Sequence, residues 1–204
     1  MLKISNSAAL SAFIFCAAIF SPAHAEPFVF APEHCEFSAA FPETPETIKR
    51  CETTGDKECY EQFSFTKVFA MSTSVNFKVI CNPAGGDIFK AYTEEVMRTT
   101  LRAMTDREVI KTFDVSFREE PLYKQAGLIG EGEMGLTPTM YIAQLWIGQR
   151  SAMSVEAELV GEPSEEADQM FSELLRSVQF IVPEETDKAP EAPPAPKTDA
   201  PAAP

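Results

Sequence analysis

From Cys35 onward the chain alternates apolar and polar residues with a period of two. Cys35, Phe37, Ala39 and Phe41 share one face of a strand, and Glu36, Ser38 and Ala40 share the other. The alternation returns at Phe63, Phe65 and Phe69, and again at Val75, Phe77, Val79 and Cys81. Strands of this kind bury one face and wet the other, as antiparallel sheets do. "FPETP", "FAMSTS" and "TTGDK", with Gly55, supply turns between them. "NPAGGD" then ends the pattern. Ile88, Phe89, Tyr92, Val96, Met97, Leu101 and Met104 recur at helical spacing, with Asp87 as the expected cap and Glu94–Arg98 as an i,i+4 pair on the wet side. Strands are expected again over 109–117, 125–134, 139–147 and 152–160, with a hairpin turn at "GQR", 148–150. A closing helix has Ser164 as its N-cap, Glu165 and Glu166 in its first turn and Arg176 in its last. Its apolar stripe is Ala167, Met170, Phe171, Leu174, Leu175 and Val178. A mostly antiparallel sheet packed with two long amphipathic helices, without βαβ alternation, predicts an α+β fold.

The two ends of the chain do not fit this pattern. Lys3 precedes an apolar run over 8–20, and "SPAHA" places Ala23 and Ala25 where a small-x-small cleavage site needs them. Residues 1–25 are therefore expected to be a secretory signal peptide, cut before Glu26, and too short in their apolar part to span a bilayer. Bulky Phe15 before Cys16 argues against a lipoprotein. Residues 183–204 are an acidic Pro/Ala-rich stretch with nothing to bury, expected to be a disordered tail. Residues 26–182 remain as a single domain. The full chain carries a net charge of −14, which argues against nucleic acid and anionic lipid as partners. No membrane span is expected in the mature chain.

Cys35, Cys51, Cys59 and Cys81 remain after export. An even number in an exported chain predicts two disulfides and a periplasmic or secreted location. Metal binding is not expected, since no C-x-x-C or C-x-x-H spacing occurs. If 33–81 form a four-strand meander, Cys35–Cys51 and Cys59–Cys81 are the favoured pairs. A bond from first strand to fourth would span about 14 Å, at about 4.8 Å per strand, against a limit of about 7 Å between Cα atoms. Cys51–Cys59 with Cys35–Cys81 is the alternative, and needs a sheet order that brings the outer strands together.

One motif invites a cofactor. "GEGEMG", 130–135, has the spacing of the dinucleotide fingerprint, which must lead from a strand into a helix. Here "LTPTMYIAQLW" follows, a strand with Pro138, and Glu131 and Glu133 would face any diphosphate. No cofactor is expected. Gly127, Gly130 and Gly132 are read instead as permitting a bulge or a close approach. His34, the only histidine of the mature chain, neighbours Cys35, and adjacent strand residues point to opposite faces. No nucleophile elbow, zinc helix or phosphate loop occurs, so no catalytic residue is assigned. Glu119–Glu120 and Glu165–Glu166 are read as solvated charge. Tyr141 and Trp146 fall on opposite faces of one strand, so at most one is expected to face the core, leaving the other as a possible binding surface.

"CEFSAAFPETPE", the hairpin "YIAQLWIGQRSAMSVEAEL" and the closing "EEADQMFSELLRSVQF" together resemble the PsbP-like α/β/α sandwich superfamily, in an uncharacterised exported branch. The resemblance covers roughly 33–182 and implies binding of another macromolecule rather than catalysis. It supplies no site residues. The expected activity is that of a non-catalytic binding or accessory protein, its partner another envelope protein. A hydrolase or small-ligand carrier using cleft carboxylates is the alternative.

Overall fold

The computed structural model describes residues 26–51, 59–105, 109–135 and 137–182. The proposed signal peptide, the tail and the "TTGDK" turn lie outside the described residues. Seven strands pair antiparallel in one sheet: β3 (Glu46–Cys51), β4 (Cys59–Phe69), β5 (Thr73–Pro83), β9 (Ser151–Gly161), β8 (Thr137–Ile147), β7 (Lys124–Met134) and β6 (Val109–Glu119), in that spatial order. Of these, β4, β5 and β6 were legible as period-two runs, and strands were expected over β7, β8 and β9 as well. A smaller sheet, in the order β1 (Phe28–Phe30), β2 (Phe37–Phe41) and β10 (Gln179–Phe180), lies apart from it.

The larger sheet is covered diagonally. On one face, β4, β5 and β9 present Phe65, Val75, Phe77, Val79, Val155 and Ala157. These pack against Phe37 and Phe41 of the small sheet and Phe171 and Leu174 of α3 (Glu165–Arg176). On the opposite face, β7 and β8 present Ala126, Leu128, Tyr141, Ala143, Leu145 and Ile147 to Met97 and Leu101 of α2 (Glu94–Thr105). The uncovered side of β3–β5 and β9 is polar. Arg50 donates to Gln62 (3.2 Å) and Gln62 to Ser64 (2.8 Å), while Thr66 donates to Asn76 (2.9 Å) and Asn76 to Glu158 (3.2 Å).

Both α2 and α3 are 12 residues, and a third helix, α1 (Ile88–Ala91), has only four. The single long helix expected after Asp87 is therefore two pieces. Asp87 makes no side-chain cap, and Tyr92 leaves the helical region at φ −83°, ψ 80°. The Thr93 hydroxyl accepts instead from the Val96 amide (3.4 Å), and two glutamates follow it, the composition of a fresh helix start. Lys124, buried under this break, donates to the Tyr92 carbonyl (3.1 Å), pairs with Glu119 (3.4 Å) and lies 4.7 Å from the Phe89 ring centroid. Ser164 caps α3 as expected, accepting from the Ala167 amide at 3.4 Å.

The favoured cysteine pairing is corrected. The bonds are Cys35–Cys81 and Cys51–Cys59. Cys51 and Cys59 stand directly opposite each other on β3 and β4. The strand after Cys35 is not the first of a meander. It belongs to the small sheet stacked over the large one, so Cys35 approaches Cys81 from above, at 6.1 Å between Cα atoms. Loop-closure entropy ranks the two bonds, whose sequence separations are 46 and 8. Replacing Cys35 and Cys81 with alanine is expected to cost about 4 kcal/mol, against about 2.5 kcal/mol for Cys51 and Cys59. Urea unfolding of the two double variants checks this ranking, and equal losses contradict it.

Candidate functional site

Trp146 and Tyr141 do lie on opposite faces of β8, but neither is presented to solvent. Tyr141 is 1% exposed and Trp146 6%. Tyr141 belongs to the cluster under α2, and its hydroxyl donates to Glu156 at 2.9 Å. Trp146 stacks on Tyr123 (centroids 5.6 Å apart), Tyr123 stacks on Phe180 (5.1 Å), and Phe37 of the small sheet caps the group. The end of β8 from Leu145 to Ile147 is buried on both sides, which period-two reasoning for a half-wet strand does not allow for.

The four cysteines form the two disulfides and leave no thiol among them. His34 is exposed, with Nε2 3.1 Å from the Cys81 carbonyl oxygen. Of the acidic pairs, Glu119 meets Lys124 and Glu120 meets Arg118 at 2.9 Å. Glu165 and Glu166 occupy the first turn of α3. Of the fingerprint glycines, Gly130 and Gly132 lie inside β7, and Gly135, at φ 67°, follows the strand where the chain turns toward β8. A Cβ at Gly130 would come within 2.7 Å of the Lys111 carbonyl oxygen. That close approach coincides with register shifts on β6 between Val109 and Lys111 and between Thr112 and Asp114. Each shift inserts one extra residue, Ile110 and then Phe113, so Gly130 accommodates a doubly bulged neighbour.

The bulges shape a surface that sequence reasoning missed. Phe113 and Asp114 stand opposite Ile129, Ile129 is paired with Ile142, and Glu131 with Met140, which in turn pairs with Leu159. Strand alternation places these side chains on the face away from α2. Phe113 is 52% exposed, Met140 41% and Ile129 39%. Phe113, Pro138, Met140, Leu159 and Pro163 line an open cleft of about 430 Å³, and the carboxylates of Glu131, Glu162 and Asp168 ring it. α3 forms its side wall through Asp168. Among the described residues, these carboxylates do not converge into a group that could hold a metal ion. The available signal was the run "MYIA", apolar on both faces, next to "GEGE", which puts glutamates on one face only.

No family model and no curated protein matches the chain. Among solved structures, the chain is similar to the solution structure of cyanobacterial PsbP (CyanoP) from Synechocystis sp. PCC 6803. The two are 10% identical over 76% of this chain and 92% of that one, with a TM-score of 0.49. It is also similar to a crystal structure from Bacteroides thetaiotaomicron VPI-5482, with 14% identity, 74% of this chain and 47% of that one covered, and a TM-score of 0.37. These are distant likenesses in fold, and no residue role is carried over from them.

An apolar surface kept for folding and one kept for something else respond differently to substitution. Met140→Ser and Ile129→Thr are each expected to change stability by no more than about 0.5 kcal/mol. Tyr141→Ala, which empties a covered site, is expected to cost about 3–5 kcal/mol. Chemical denaturation of the three variants checks the contrast. A loss above 2 kcal/mol for Met140→Ser would make the strip part of the core.

Proposed function

We propose that this chain is an exported, disulfide-bonded binding or accessory module that holds another envelope protein and performs no turnover of its own. The observation that carries this reading is the half-exposed strip of Phe113, Ile129 and Met140. The other uncovered half of the large sheet is dressed with a hydrogen-bonded polar ladder, as a solvated surface should be. The strip is apolar with a charged rim, the anatomy of a contact surface. Two disulfides fit an oxidising compartment, and no helix among the described residues is long and apolar enough to cross a membrane. Cleavage before Glu26 delivers the chain from Glu26 onward to that compartment.

Photo-cross-linking in the producing cells tests the reading. With a photoreactive residue at Met140, a discrete protein adduct is expected, and with the same residue at Thr66, on the polar ladder, none. Adducts from Thr66 alone would move the surface and leave the binding function standing. No adduct from any position, together with hydrolytic turnover by the purified protein that is lost in Glu131→Gln, would replace it with the hydrolase reading.

A further inference from the structure

The cleft also has a size and a charge, and together they select one kind of occupant. It lies over β7 and β8, between α3 on one side and the β6 edge on the other. From Phe113 on β6 to Leu159 on β9 the lining crosses three strand spacings of about 4.8 Å, about 14 Å in all, which is room for an α-helix about 10–12 Å across with its side chains. Along β8 the cleft is lined from Pro138 to Met140, and alternation carries the same sheet face on through Ile142 to Gln144 before the Tyr123–Trp146–Phe180 stack. Six residues of strand are about 20 Å, the length of about 13 helical residues. The fold already covers parts of this sheet with helices, α2 lying behind β6, β7 and β8 and α3 beside the cleft.

Charge sets the polarity of the occupant. Glu131, Glu162 and Asp168 line the cleft, and Asp114 faces it from β6. Two cations face the same side. Lys111 has its Nζ 5.0 Å from the Phe113 ring centroid, and Arg118, at the closed end, is paired with Glu120. The rim is therefore net acidic, in a chain whose net charge is −14. Strand addition at β6 is disfavoured because two bulges interrupt its outward hydrogen-bonding line. A second copy of this acidic chain is disfavoured by repulsion. Resting on the binding function proposed above, we infer that the cleft receives a basic amphipathic helix of a partner protein, its apolar face on Phe113, Met140 and Leu159 and its lysines or arginines against Glu131, Glu162 and Asp168.

The test uses the full, disulfide-bonded chain labelled with nitrogen-15, and three synthetic peptides of 14 residues. One is an amphipathic Lys/Leu helix, one has Glu in place of Lys, and one keeps the Lys/Leu composition with two central prolines. The Lys/Leu helix is expected to shift the amides of Phe113, Ile129, Glu131, Met140, Leu159 and Asp168. Its Kd is expected to rise at least tenfold in Glu131→Lys/Asp168→Lys and to change less than twofold in Glu46→Lys/Glu61→Lys, on the far strands. Equal weakening by both variants would reduce the effect to non-specific attraction and overturn the inference. So would equal affinity for the Glu peptide, equal affinity for the proline peptide with shifts along β6, or no localised shifts at all. The Met140 cross-link stands apart from these outcomes. An adduct there with no response to the Lys/Leu helix leaves the binding function in place and rejects only the basic helix.

Discussion

The small sheet stays on the large one because of a seam at a single hairpin. Glu36, only 10% exposed at its side chain, turns Oε2 into the β8–β9 turn. There it accepts from the amides of Arg150 (2.7 Å) and Ser151 (3.0 Å) and from the Ser151 hydroxyl (3.2 Å). Its own amide donates to the Ser151 hydroxyl (2.9 Å), and its carbonyl accepts from the Ile181 amide (2.9 Å). Gly148 makes room, since a Cβ there would collide with Oε2. The Cys35–Cys81 bond adjoins this carboxylate in sequence and ties the same corner covalently. Charge-assisted hydrogen bonds to a partly buried carboxylate are among the stronger single contacts a domain of this size can make.

What the seam fixes is the diagonal cover. With β2 held over β5 and β9, Phe37 and Phe41 meet Trp146 and Phe77, and α3 packs beside them. Ser177 at the end of α3 then closes the layer, exchanging hydrogen bonds with the amide (3.0 Å) and carbonyl (3.1 Å) of Ala40. The small sheet and α3 are used up on that half of the face. The neighbouring half, over β6–β8, is left with its apolar strip, because the third helix pack of the fold, α2, sits on the other side. The candidate site is thus a consequence of where the covering layers are anchored.

Individual elements were legible where one periodicity held. The stripe from Ala167 to Val178 and the Ser164 cap specify α3 without help from tertiary structure, and the alternation at Val75–Cys81 specifies a half-buried strand. Pairing was not legible, because period two states which side chains share a face and not which sheet the strand joins. Glu36 shows the failure most clearly. Its position on the polar side of an alternating run suggested solvent, whereas its side chain is 10% exposed and Ser38, on that same side, 6%. Thr93 was overlooked as a helix start inside a continuous apolar stripe. Tyr141 and Trp146 were placed on the right faces with the wrong surroundings. The cleft itself depends on two bulges on β6 and on residues from three separate stretches, 113, 131–140 and 159–168, which no local pattern joins.

Amide hydrogen exchange on Glu36→Gln, with both disulfides intact, tests the central claim most directly. Loss of the seam is predicted to raise exchange together at Arg150, Ser151, Ile181 and the β2 amides, while α2 and the β6–β7 pair keep their protection. Protection lost evenly over the whole chain, or unchanged at the seam, would contradict the claim that this one carboxylate holds the small sheet in place.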